Sequence, residues 1–193
     1  MGSLKKLIKN DPIHSRSIVM KTYALDLDTI LVEGWLKEDR FHVVYDLSGE
    51  EMAKGPVHHM VIRIKVGGRP LCILDAEAEM IHVPLNFCNH TVDTIQKVIG
   101  LEIKAGFTKK IRTLIGGVKG CTHLTHLLTV MGQAAFQGYA VHTRKKRSPI
   151  PHSIEQVESL EYLLKSCRAW AEDGPKMMKL KSVIENKNDT EEY

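Results

Sequence analysis

The chain has 193 residues, enough for one domain with a sizeable core. Hydrophobic residues make up 43% and charged residues 26%, and the formal net charge of +4 is gathered largely in Arg144-Lys145-Lys146-Arg147, too modest an excess to point to nucleic acid. No run of about 18 apolar residues exists, so no membrane span is predicted, and Asn10, Asp11 and His14 break any apolar stretch behind Lys5 and Lys6, so the start does not read as a secretory signal and a cytoplasmic setting is expected.

Along the chain, Ser17 to Leu25 is β-rich, Asp26-Leu27-Asp28 is turn-like, and Thr29 to Lys37 alternates again. Together they predict a hairpin. Phe41 to Leu47 reads as a further strand, and 48–56 as a polar connection. The clearest hairpin follows. His58, Met60, Ile62, Ile64 and Val66 alternate with His59, Val61, Arg63 and Lys65; Gly67-Gly68-Arg69-Pro70 turns the chain; Cys72, Leu74, Ala76, Ala78 and Met80 then alternate with Asp75, Glu77 and Glu79. Period two on both arms gives each one buried and one wet face. Matching the apolar sides sets Arg63 opposite Asp75 and His59 opposite Glu79, so the three carboxylates read as a salt-bridged strand face.

Asn89 to Ile99 reads as a short helix stopped by Gly100, and Leu101 to Ile115 as extended. A longer helix is predicted from Cys121 to about Val141, with Leu124, Leu127, Leu128 and Met131 in its apolar stripe and Ala134, Ala135 and Gly138 for close packing. Residues 142–152, basic and proline-containing, read as a linker. A second amphipathic helix is expected over 153–172, capped by Ser153 with Gln156 and burying Ile154, Val157, Leu160, Leu163, Leu164 and Cys167. Residues 174–193 read as a polar tail that frays. The predicted fold is α+β: a core over 14–141 with an antiparallel sheet of five or six strands, helices packed on one side, and a C-terminal helix.

Four cysteines (Cys72, Cys88, Cys121, Cys167) without a Cys-x-x-Cys read as free thiols or metal ligands. The richest stretch is Gly116-Gly117-Val118-Lys119-Gly120-Cys121-Thr122-His123-Leu124-Thr125-His126. It delivers a cysteine and two histidines to a helix start, where the helix dipole stabilises a thiolate. A glycine turn of this kind suggests close approach of the backbone to something. Helix geometry argues that Cys121 and His123, two residues apart, do not face the same way. A complete site therefore needs contributions from elsewhere. His58 opens a strand, Cys88 precedes a helix, and Cys121 and His123 open the long helix. His58, Cys88, Cys121 and His123 form a tetrahedral set chemically suited to zinc or an iron–sulfur cluster. Cys72 and Cys167 read as small buried hydrophobes, His126 as lining the helix surface and His59 as a partner of Glu79, while His90 is a further candidate by residue type.

The combination Pro56-Val57-His58-His59-Met60, Asp75-Ala76-Glu77-Ala78, Cys88 and Gly120-Cys121-Thr122-His123-Leu124 resembles a bacterial family catalogued only as a domain of unknown function, over about 14–141. In that family an acidic residue is more usual at the positions of His59 and His126. More distantly, the order of the hairpin, Cys88, a helix and a cysteine opening a last helix is similar to NifU-type iron–sulfur cluster assembly scaffolds. That resemblance implies a middle ligand at Cys88, a late ligand at Cys121 and a loop aspartate near His58. The loop cysteine of the scaffolds has no counterpart, since Gly55, Pro56 and Val57 occupy its region.

The leading expectation is a small metal-binding protein, an iron–sulfur scaffold or carrier relative, with other proteins as partners. Two alternatives stand beside it: a metal-free enzyme or ligand-binding module with Cys121 as nucleophile, and an interaction module without chemistry. Oligomeric state is not legible.

Overall fold

A computed structural model describes residues 3–146 and 148–191. Arg147 of the basic run, Gly2 and the last two residues of the expected tail lie outside the described residues. The chain divides into two compact units, 1–143 and 144–193.

In the first unit, β1 (His14–Ala24), β2 (Thr29–Arg40), β5 (Gly55–Gly67) and β6 (Cys72–His82) form an antiparallel sheet in the order β1-β2-β5-β6. The α+β class is as expected, but the sheet has four strands. Phe41–Leu47 does not join it: only β3 (Val44–Tyr45) forms there, pairing with β4 (Glu51–Met52) as a separate ribbon. The even-numbered residues of β2 from Ile30 to Glu38 are all buried. They meet Met60, Ile62, Ile64 and Val66 of β5, which are fully buried. These positions form one continuous inner face.

The β5–β6 register differs from the expected one. Arg63 lies opposite Glu77, Lys65 opposite Asp75, and Val61 opposite Glu79. The ladder shifts between Lys65 and Val66, and again between His59 and Met60. Each irregularity displaces the simple alternation count. Charge pairing survives in another form, since Arg63 bonds Glu79, Glu33 and Glu77. His59 meets no carboxylate partner in the ladder; it lies opposite His82, and its ring sits 5.5 Å from that of Trp35.

Asn86–Val98 is a run of 3-10 turns that buries Ile95 and Val98. The stretch read as extended contains a helix, α1 (Phe107–Ile115), with Phe107, Ile111 and Ile115 buried. Their four-residue spacing is a helical stripe. Gly106, at φ 86°, sits at its N-terminus in the left-handed region that suits glycine. The long helix α2 (Thr122–Thr143) packs on the inner sheet face through Leu124, Leu127, Leu128 and Met131. A Cβ on Gly34 would lie 2.7 Å from Met131 Sδ, so glycine is what lets α2 approach β2.

In the second unit the expected helix over 153–172 is absent. Short 3-10 turns flank α3 (Leu160–Leu163), and Cys167 is exposed rather than on an inner face. The C-terminal helix lies further on, as α4 (Pro175–Glu191), where a fraying tail was expected. Met177 and Ile184, seven residues apart, are buried along it. No helix among the described residues is long and apolar enough to cross a membrane.

Candidate functional site

The inner face of the sheet changes chemistry at one end. Ile18, Leu36 and Met60 form one cross-strand row. The next row is Arg16, Glu38 and His58, each directly opposite its neighbour. Apolar burial therefore gives way, within about 7 Å of strand, to a carboxylate between two basic groups. The first turn of α2 lies against this row and brings in His123.

Glu38 is the centre. It is 7% exposed, and both its oxygens are used. Oε1 accepts from Arg16 Nε (3.0 Å) and Nη2 (2.8 Å), and lies 2.9 Å from His14 Nε2. Oε2 lies 2.8 Å from His58 Nδ1 and 3.4 Å from His123 Nε2. The two imidazole rings stack with centroids 3.8 Å apart and planes 31° apart. One ligand atom from each of Glu38, His58 and His123 lies within 4.8 Å of the other two.

Burial pushes the Glu38 carboxyl up, but hydrogen bonds from Arg16 and His58 and the Arg16 charge outweigh it and hold the group below its ordinary 4.5. His123 is held below its ordinary 6.5, by burial first and then by the neighbouring His58, against the opposing pull of Glu38. In both cases the folded protein favours the deprotonated form. The His123 contribution to stability is complete above its ordinary value of 6.5 and is lost as pH falls through the lower folded value. The Glu38 contribution follows the same course from 4.5 downwards. Denaturation midpoints are thus expected to fall from neutral into mildly acidic solution, with His123→Gln flattening the upper part of that fall. A midpoint equally pH-dependent in the variant would remove His123 from the account.

The start of α2 is built locally. Gly117 adopts φ 61°, and a Cβ on Gly120 would lie 2.6 Å from the Ile115 carbonyl oxygen. The glycines thus serve close approach of the chain to itself. Cys121 precedes the helix, and its carbonyl accepts the Thr125 N–H at 2.9 Å. Thr125 Oγ1 donates to the Cys121 and Ile115 carbonyls, tying the turn to the end of α1. Because Cys121 stands outside the helix, its Sγ reaches 3.9 Å from His123 Nδ1. The helical-spacing argument against a shared direction does not apply to it.

Of the four residues singled out in the sequence, His58 and His123 come together around Glu38. Cys121 sits beside His123, but at the ring nitrogen away from Glu38. Cys88, in the 3-10 run, is not in the cluster. Sequence reasoning missed Glu38 and Arg16. The signal was present: the alternation Ile30, Val32, Gly34, Leu36 continues to Glu38, and Ile18 and Met20 continue back to Arg16.

Fold and cluster define a small α+β domain whose inner sheet face ends in a buried glutamate set against two half-buried histidines. A family model matches residues 14–137, and its description is a protein of unknown function, DUF2889. The chain belongs to that family, and the match takes in every residue of the cluster. No curated protein and no solved structure matches the chain.

Proposed function

We propose that the domain binds one divalent transition-metal ion, zinc by preference, through Glu38, His58 and His123. The observation that carries this is the direction of Glu38 Oε2 toward one nitrogen of each histidine, 2.8 Å and 3.4 Å away. Two imidazoles and a carboxylate are a recurrent donor set for zinc with an open position. Arg16 and His14 hold the other carboxylate oxygen and fix its orientation, as outer partners of metal ligands do. Iron–sulfur clusters are held mainly by thiolates, so a carboxylate and two imidazoles suit a single ion better than a cluster. A bound ion supplies Lewis acidity and lowers the pKa of a coordinated water. Metal analysis of purified protein is expected to give about one zinc per chain. His58→Ala and His123→Ala lose it, and Cys88→Ala keeps it. Substoichiometric metal that does not change in His123→Ala sinks the reading.

A second reading has its own observation: His123 lies between Cys121 Sγ at Nδ1 and Glu38 Oε2 at Nε2. Nucleophile, base and orienting carboxylate take this order in thiol enzymes. It requires iodoacetamide to alkylate Cys121 in chelator-treated protein faster than the exposed Cys167, and His123→Ala to slow that reaction. Equal rates at the two cysteines dispose of it.

A further inference from the structure

We infer that a groove beside the cluster binds a small organic carboxylate, an anionic head on a short apolar body. The inference rests on the metal reading only for what the bound anion is presented to. Arg40 stands two residues beyond Glu38 on β2, on the same face and about 7 Å along the strand. It lies opposite His14 in the ladder, and the His14 side chain turns to Glu38. Lys54 and His82 also line the groove, and Met52, Val57 and Pro84 supply its apolar walls.

The charges point to an anion. Arg40 Nε and Nη2 donate to the Ala53 carbonyl at 3.3 Å and 2.8 Å, and Nη1 reaches only Met52 Sδ at 3.8 Å. The guanidinium has five N–H donors, so part of its fork is left for a ligand. Glu51 is the one acid in the lining. Among the described residues it makes no ion pair with Arg40 or Lys54, and no other carboxylate does so either. Two cations without an acidic partner on one concave surface raise the local concentration of anions. The apolar walls favour an anion that carries hydrocarbon over a bare phosphate.

Calorimetry on the zinc-loaded protein tests this with three probes: hexanoate, the uncharged hexanamide, and inorganic phosphate. Hexanoate is expected to bind about tenfold or more tightly than either of the others. Lys54→Gln and Arg40→Gln should each weaken hexanoate by a similar factor while zinc content stays at the wild-type value. Arg40 also ties β2 to the ribbon, so Lys54→Gln, on an exposed side chain, is the deciding variant. Equal binding of hexanoate and hexanamide overturns the inference, as does unchanged hexanoate affinity in Lys54→Gln. Phosphate binding as tightly as hexanoate overturns the organic body. Hexanoate binding of the expected strength in protein that takes up no zinc upholds the groove and removes the metal reading; absent hexanoate binding with zinc retained does the opposite.

Discussion

Glu38→Ala is expected to destabilise the first unit by about 3 kcal/mol, the lower end of the cost of breaking a buried ion pair. The variant leaves Arg16, His14, His58 and His123 facing one another without the carboxylate that compensates them. Arg16 and His14 are 40% and 48% exposed at their side chains, so water recovers part of the loss, and the upper end of the range does not apply. His58, at 14%, has no such recourse. Urea denaturation at neutral pH measures the effect. Glu77→Gln is the control: Glu77 also pairs with an arginine, but at 64% exposure, and its loss should stay within about 0.5 kcal/mol. Zinc content should collapse in Glu38→Ala and remain in Glu77→Gln. Equal midpoints for the two variants would show that the Arg16–Glu38–His58 row is not a stabilising unit.

Gly34→Val is expected to cost about 2–3 kcal/mol by overpacking. The added Cβ alone would sit 2.7 Å from Met131 Sδ and 3.3 Å from Leu127 Cδ1. Met131 and Leu127 are both fully buried and have little room to yield. The collision falls on α2, one to two turns after His123. The helix has to lift from β2, and His123 moves with it. The variant should therefore lose metal affinity as well as stability, although residue 34 touches no ligand. Val118→Ser, at a fully exposed position, should leave both unchanged. Wild-type metal affinity in a destabilised Gly34→Val would uncouple helix packing from the site.

The main hairpins and α2 were legible because their periods are unbroken over many residues. The four-residue spacing of Phe107, Ile111 and Ile115 was equally readable, yet a stretch rich in β-branched residues masked it. His58 and His123 could be singled out as chemistry at element ends. Glu38 could not be found by residue type alone, because Lys37-Glu38-Asp39-Arg40 has the composition of a solvated strand end. Only the parity of its position in β2 gives it away. The glycines before Cys121 carried a real constraint with a different object: the chain packs against the end of α1. A period-two count does not fix the β5–β6 register: the expected alignment is two residues out between Met60 and Lys65, a shift that keeps every side chain on its own face, and the irregularity at Lys65/Val66 moves the partners by one residue more than the turn alone sets.

The adjacent histidines of β5 give the ladder a further consequence. His58 points to Glu38, while His59 points the other way, toward Trp35. A slip of β5 by one residue would still offer Glu38 a histidine, so the chemistry of the site cannot by itself reject the wrong alignment. The slip would, however, turn Met60, Ile62 and Ile64 out of the core. Fidelity of the site is thus delegated to oily side chains that never touch it: they act as the proofreader that decides which of two identical imidazoles is admitted.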